Sequence, residues 1–411
     1  MRAEILAVGT EILLGDIVNT NSHYISKRLA NLGISVYYQT VVGDNEDRLL
    51  KAYELAFSRA DIVIATGGLG PTNDDLTKEI GARYFNKKLI IHEESLEYIK
   101  NFFERLNRPM SEGNRKQALF PEGAIILSNP NGTAPGCIVE EKNKILVMMP
   151  GPPKEMVPMF ETSVVPYLEK FSDGVLVSKV LRVLGLGESA MAEKVIDILE
   201  NSKNPTAAPY AKDYESILRI TAKGKTKEEA ERLIIPMEKE IRDRLELNVY
   251  AEGETTIENV VGEMLVSRNL TIATAESCTG GLLAGTLINY PGISSVFMEG
   301  AITYSNEAKM KRLGVKEETL NKFGAVSEET AREMAEGIAK AANTDVGISV
   351  TGIAGPGGGT EEKPVGLVYV GLYIKGEVKV KKLNMFGDRQ KIRNRTVVNT
   401  LDWLRRELLE K

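Results

Sequence analysis

Ser277 and Cys278, a hydroxyl and a thiol, stand side by side in Ala273-Thr-Ala-Glu-Ser-Cys-Thr-Gly-Gly281, between an apolar run and a Gly-rich helix start. A nucleophile placed there gains from backbone N–H groups and from the positive end of a helix dipole. No histidine follows His92, so a Ser-His-Asp or Cys-His arrangement built within this third of the chain is excluded. A lysine or a tyrosine must then act as base, and Tyr304-Ser-Asn-Glu-Ala-Lys309 offers one of each on a strand end and the first turns of the next helix. Either could take the Ser277 proton and return it to a leaving group. The amides of Cys278, Thr279 and Gly280 could receive a tetrahedral oxyanion, which requires no metal. Thr351 opens the loop Thr351-Gly-Ile-Ala-Gly-Pro-Gly-Gly-Gly359 and is placed for a further hydrogen bond, and Arg389 is a fixed cation suited to a phosphate or an acyl intermediate. The plainer alternatives are that Ser277 N-caps a helix, Lys309 is a solvated cation and Tyr304 is a core aromatic. Cys278, without a histidine, would rest its thiolate on the helix dipole alone.

A second constellation lies in Gly67-Gly-Leu-Gly-Pro-Thr-Asn-Asp-Asp75. Gly67, Gly68 and Gly70 let backbone amides approach a phosphate or pyrophosphate without an intervening side chain. Asp74 and Asp75 beside such a cradle suit a hard divalent cation that bridges protein and phosphate oxygens. Alternatively, Asp75 only N-caps the helix that begins at Leu76-Thr77-Lys78. The loops Asn129–Gly136 and Pro150–Met156 could close the same pocket, with Lys154 adding a cation.

The elements that must position these residues follow from the apolar pattern. Strand Ala3–Val8, helix Ser22–Leu32, strand Ser35–Val42, helix 45–58 and strand Ile62–Thr66 alternate, which predicts a parallel sheet covered on both faces, with ligands at the carboxyl ends of its strands. Residues from about 172 to 252 read as a small α+β module: strand 178–183, helix 189–200, a hairpin through 206–222 and the charged helix 227–245. A third α/β unit follows, with helix 257–268, strand 270–275, helix 280–288, strand 301–304, helix 327–342, strand 346–350, paired strands 366–374 and 377–383, and a final helix 389–409. The fold class is α/β and multidomain, with two mostly parallel sheets joined by the α+β module. The boundaries fall at 1–170, 171–253 and 254–411.

A chain of 411 residues exceeds what one core organises, in keeping with two or three domains. No apolar run approaches a bilayer span or a signal segment, so no membrane partner and a cytoplasmic address are expected. Two distant cysteines, Cys137 and Cys278, speak against a disulfide framework or a thiolate zinc site, so any metal should be oxygen-ligated. A net charge of −5 supplies no global drive toward nucleic acid and favours small-molecule partners.

Taken together, Gly9-Thr-Glu-Ile-Leu-Leu-Gly-Asp16, Thr66–Thr77, Asn131-Gly-Thr-Ala-Pro-Gly136 and Pro150-Gly-Pro-Pro-Lys-Glu155 resemble the molybdopterin-binding-like domain of the CinA family. Ala275–Gly281 and Thr351–Gly359 resemble that family's C-terminal domain, so the likeness covers nearly the whole chain. The resemblance implies divalent-metal-dependent hydrolysis of ADP-ribose in the first domain and deamidation of nicotinamide mononucleotide, without a cofactor, in the last. It implies Ser277 as nucleophile, assisted by Tyr304, Lys309, Thr351 and Arg389. Substrate contacts are then expected from Glu276, Cys278, Thr279, Gly280, Gly281 and Gly352 in the last domain. In the first they are expected from Gly67, Gly68, Gly70, Asn131, Gly132, Thr133 and Lys154, with Asp74 and Asp75 on the metal. The family carries a KH-like unit in the middle position. The nearest segment here, Gly185-Leu-Gly-Glu188, departs from the GXXG loop that clamps backbone phosphates, so a spacer or dimerisation role is expected instead of nucleic-acid binding. A homodimer is implied by the resemblance alone. The rival readings are an adaptor in DNA uptake with vestigial pockets, and a first domain that only binds a pterin or nucleotide.

Overall fold

The computed structural model describes residues 1–171 and 174–410. Residues 172 and 173, where the middle module is expected to begin, and Lys411 lie outside the described residues. The chain forms two compact units, one of residues 1–177 with 222–233 and the other of 178–221 with 234–411.

The first unit is built on a six-stranded sheet in the order Ser35–Val42, Arg2–Val8, Ile62–Thr66, Lys144–Met149, Gly136–Glu141 and Ile125–Leu127. The first four strands run parallel and the last two pair antiparallel, so the sheet is mixed at one edge. Every residue of Ile62–Thr66 is buried because both faces are covered. Ile62 and Ile64 pack with Ile25 and Leu29 of helix Thr20–Asn31, whereas Val63 and Ala65 pack with Leu49 and Tyr53 of helix Glu46–Arg59. Asn19 starts the first of these helices by accepting the Ser22 N–H, and Asn45 starts the second by accepting that of Arg48.

The second unit holds a five-stranded sheet in the order Phe297–Ile302, Ile272–Glu276, Val346–Gly352, Leu367–Ile374 and Glu377–Asn384, of which the first three are parallel and the others antiparallel. Its strands also divide their side chains between two cores: Ile272 packs with Leu401 and Leu404 of the C-terminal helix Arg389–Leu409, and Ala273 and Ala275 pack with Met334 and Ile338 of helix Glu328–Ala342. The middle module contributes a separate sheet in the order Thr206–Lys212, Glu215–Gly224, Val175–Val183 and Val249–Glu252. Its expected single helix over 189–200 is two helices, Glu188–Lys194 and Ile196–Asn201, interrupted at Val195. Leu184 and Tyr250 of this module lie in the same core cluster as residues of the C-terminal helix, so module and third domain share apolar packing.

Candidate active sites

In the first unit, a cleft of about 590 Å³ opens just beyond Val8, Thr66 and Met149, the carboxyl ends of three adjacent parallel strands. Gly67, Gly68, Gly70, Asp74, Asp75 and Thr133 all line it. Gly67 has φ +105°, and a Cβ there would stand 2.0 Å from the Val8 carbonyl oxygen, so only glycine lets this turn lie against the first strand. Asp75 does not cap the following helix, which spans Thr77–Tyr84. Its Oδ2 instead accepts the Thr72 N–H at 2.9 Å and the Thr72 hydroxyl, closing the loop on itself. Asp74 is exposed at the cleft. Asn131, Gly132 and Lys154 are not part of the lining: Asn131 Nδ2 donates to the Lys154 carbonyl at 3.1 Å, Gly132 packs on the Glu155 carboxylate, and the Lys154 side chain is exposed. Three other carboxylates border the cleft without having been singled out in the sequence: Glu11, Asp44 and Glu155. They are scattered along the chain, and only the closing of the sheet gathers them. Asn21 also lines it. Its Nδ2 donates to the Thr66 hydroxyl and the Gly151 carbonyl, which leaves a buried Oδ1 without a partner among the described residues. Among the described residues no three His, Cys, Asp or Glu side chains converge as a cage for a metal. The donor set instead fits a hard cation held by one or two carboxylates, Asp74 and the free Oδ1 of Asp75, and completed by phosphate oxygens.

In the second unit, Ser277 follows strand Ile272–Glu276 directly, and its N–H donates to the Val350 carbonyl of the neighbouring strand at 2.9 Å. Lys309, on helix Asn306–Leu313, reaches it from the other side, with Nζ 3.3 Å from Ser277 Oγ, 2.9 Å from the Thr303 carbonyl and 3.1 Å from the Tyr304 carbonyl. Lys309 is only 1% exposed, and among the described residues no carboxylate pairs with it. Desolvation holds its ammonium below the ordinary lysine value, and the nearby Cys278 opposes this in part. Ser277 itself is half-buried. A nucleophilic hydroxyl with a desolvated amine at hydrogen-bond distance is the arrangement a Ser-Lys acyl transfer needs.

Several expectations change here. Tyr304 is 63% exposed, and its backbone carbonyl, not its phenol, touches the site, because it lies just past the edge strand Phe297–Ile302 and turns outward. The helix expected from Gly280 starts at Leu282, since Gly280 and Gly281 adopt φ +60° and +91°. Ser277 therefore caps nothing. The helix's open N–H groups are taken by Glu276, 1% exposed, whose carboxylate accepts from Gly281, Leu283 and Ala284 at 3.1, 2.9 and 2.8 Å. Glu276 is thus an internal cap and not a substrate contact. The Gly280 N–H closes the turn onto the Ser277 carbonyl, which removes it from the expected oxyanion donors. The Cys278 and Thr279 amides have no oxygen partner among the described residues. The Thr351 hydroxyl donates to the Ala325 carbonyl at 2.6 Å and keeps only its lone pairs for a ligand. Gly352 ends its strand beside it. Arg389 donates to the Gly355 carbonyl at 2.7 Å and so ties down the glycine loop. Arg393, one helical turn further on, donates Nη2 to the Thr279 carbonyl at 2.6 Å. It was not singled out in the sequence, although its i,i+4 spacing from Arg389 was a signal that both face one site.

The geometry defines a two-site α/β protein with a serine–lysine pair in one unit and a glycine-walled, carboxylate-bordered cleft in the other. Models of three domain families match in sequence: a probable molybdopterin binding domain over residues 4–170, the damage-inducible protein CinA KH domain over 178–251 and the CinA C-terminal domain over 254–408. The chain is 68% identical to a putative competence-damage inducible protein of Clostridium novyi, across 100% of this chain and 99% of that protein, and 66% identical to one of Clostridium perfringens, across 99% of each. It belongs to the CinA family of competence-damage inducible proteins. Among solved structures it is similar to a CinA superfamily protein of Klebsiella pneumoniae (33% identity, 38% of this chain and 97% of that one, TM-score 0.37). It is also similar to the molybdopterin biosynthesis enzyme MoaB of Thermus thermophilus (18% identity, 42% and 95%, TM-score 0.28). Among the described residues no helix is long and apolar enough to cross a membrane.

Proposed function

We propose that the chain is a pyridine-nucleotide hydrolase with two activities: deamidation of nicotinamide mononucleotide at Ser277 and metal-dependent hydrolysis of the ADP-ribose pyrophosphate in the first unit. The observation that carries the reading is the 3.3 Å approach of a buried, carboxylate-free Lys309 amine to the Ser277 hydroxyl. Neutral Lys309 takes the Ser277 proton as Oγ attacks the carboxamide carbon. The oxyanion that forms is received by the Cys278 and Thr279 N–H groups. Collapse expels ammonia, protonated by Lys309, and leaves an acyl-Ser277 ester. A water molecule, deprotonated by the same amine, cleaves that ester to the carboxylic acid and restores the hydroxyl. Neither step calls for a cofactor.

In the first unit, the turn at Gly67 and Gly68 receives the pyrophosphate against backbone, while Asp74 and Asp75 would hold the cation. When bound, that cation supplies charge neutralisation at the phosphate oxygens. Small nucleotides are therefore the partners in this reading, the assembly is a homodimer, and the middle module carries no nucleic acid.

The test is ammonia release from nicotinamide mononucleotide by the wild type and by Ser277→Ala, alongside AMP release from ADP-ribose with divalent cations. Ammonia from the wild type only is the expected result. Equal or absent release from both would remove the amidase reading and favour the adaptor role in competence. Ammonia without AMP would leave the first unit as a pterin- or nucleotide-binding domain.

A further inference from the structure

We infer that the hairpin of the middle module is a working part of the amidase site, with Tyr214 at its tip positioning Arg393 and, through it, the Cys278–Thr279 turn. This rests on the amidase reading of Ser277 and Lys309 and adds to it a residue lying outside the domain that carries the nucleophile. Tyr214 sits in the two-residue turn between strands Thr206–Lys212 and Glu215–Gly224, at φ +66°. Its phenol oxygen accepts from Asn394 Nδ2 at 2.8 Å. Asn394 Oδ1 accepts from Gln390 Nε2 at 3.0 Å, and Gln390 Oε1 lies 3.5 Å from the donor Nη1 of Arg393. Arg393 Nη2 then donates to the Thr279 carbonyl at 2.6 Å.

The relay has a direction. Because Arg393 can only donate, Gln390 must present its oxygen to it and its nitrogen to the oxygen of Asn394, which leaves the Asn394 nitrogen for the Tyr214 phenol. Reversing Gln390 would set like ends against each other at two contacts, and reversing Asn394 would do so at its contact with Gln390. Arg393 needs this bracing. A long side chain loses rotamer freedom when fixed, and the Arg393 Nε is buried with no partner among the described residues. The Thr279 carbonyl that Arg393 holds belongs to a residue whose N–H is one of the two oxyanion donors. The C-terminal helix is fastened to the middle module at its far end as well: Arg405 donates to the Leu247 carbonyl, and Arg406 to Asn248 Oδ1 at 3.1 Å. Both ends of the rod that braces the nucleophile turn are thereby set by the middle module.

The experiment uses the full chain and the variants Tyr214→Phe, Asn394→Ala and their combination, with two readouts. The first is the labelling rate of Cys278 by a thiol reagent. Cys278 is 7% exposed and lies within the turn, while the fully buried Cys137 serves as internal reference. The second is the kcat and KM of ammonia release from nicotinamide mononucleotide. Each single variant should label Cys278 several-fold faster and lower kcat about tenfold with KM unchanged, and the double variant should be no worse than either single one. Unchanged labelling, or effects that multiply in the double variant, would overturn the relay. If the wild type releases no ammonia, the amidase reading fails, whereas labelling still decides whether Tyr214 holds the turn.

Discussion

Two lysines are buried behind the glycine turns of this molecule, and they differ in what lies within reach of the amine. Lys309 has two carbonyls and a hydroxyl, whereas Lys78, 3% exposed, has the Gln117 carbonyl at 2.6 Å and the face of Phe120 at 4.2 Å. Burial depresses both, Lys78 to about 8. In the amidase reading, desolvation alone therefore does not make a base. A lowered lysine becomes chemically useful where a transferable proton stands beside it, and otherwise it braces loops: Gln117, which Lys78 holds, also donates Nε2 to the Leu69 carbonyl inside the glycine turn of the first cleft. The two turns also treat carboxylates oppositely. The first leaves Asp74 open at a cleft, where a cation and phosphates can share it. The second folds Glu276 inward onto a helix start, which keeps negative charge away from the nucleophile's open face.

The sharpest way to break this contrast is to remove the proton traffic at one lysine only. Lys309→Met should lower ammonia release by roughly a hundredfold to ten-thousandfold, while Lys78→Met should leave it within about twofold, since general-base loss is confined to Lys309. In the amidase reading Lys309 must be neutral to act. In the wild type, kcat/KM therefore rises with pH and levels off above a midpoint lower than lysine's ordinary 10.5. Lys309→Arg, permanently charged, should show a low profile with no such limb. An unchanged limb in that variant would assign the base elsewhere. Next in size, Asp74→Asn should weaken the metal requirement of AMP release from ADP-ribose by about ten- to a hundredfold in cation affinity without touching ammonia release. Equal loss of both activities would indicate unfolding instead.

Much of this contrast was legible in the residues. The strands and long helices follow from apolar alternation, and strands Ser35–Val42 and Ile62–Thr66 and helix Arg389–Leu409 stand where their patterns end. Ser277 and Lys309 were legible as a pair because no imidazole was available. Which of the two side chains would reach Ser277 was not, because that depends on Tyr304 leaving an edge strand toward solvent. Nor was the role of Glu276, since the last residue of a strand faces ligand or core according to the packing of the next helix. The start of that helix was misplaced because two positive-φ glycines, which helical patterning does not reveal, hold the chain out of the helix until Leu282. Arg393 and the three extra carboxylates of the first cleft belong to contacts between distant segments, for which a single sequence carries only faint spacing signals.

The bracing role of Lys78 has a thermodynamic signature. Its folded value near 8 lies below that of the unfolded chain, so between about pH 8 and 10.5 the unfolded state binds more protons and stability climbs with pH. Relative to Lys78→Met the gain should be on the order of 3 kcal/mol across that window. It should be absent below about pH 8, where both states of the wild type are charged. Parallel stability curves for the two proteins in denaturant titrations would show that Lys78 is not desolvated as described.

The smallest expected effect concerns Cys278, the more nucleophilic atom of the adjacent pair. Its thiol is 7% exposed and burial pushes it up to about 11, with its own backbone N–H and the Arg393 and Arg389 cations lowering it only in part. Its thiolate is therefore scarce at neutral pH, and Lys309 Nζ bonds to Ser277 instead. What Cys278 offers the reaction is its backbone N–H, which alanine keeps. Cys278→Ala should accordingly hold kcat within about threefold, less than the loss of one oxyanion donor would cost. Because the thiol is also the site read by labelling, the same variant should abolish the fast-labelling signal of Tyr214→Phe while leaving its kcat defect in place. A Cys278→Ala protein without turnover, beside a Ser277→Ala protein that retains it, would move the nucleophile by one residue and with it the whole comparison of the two lysines.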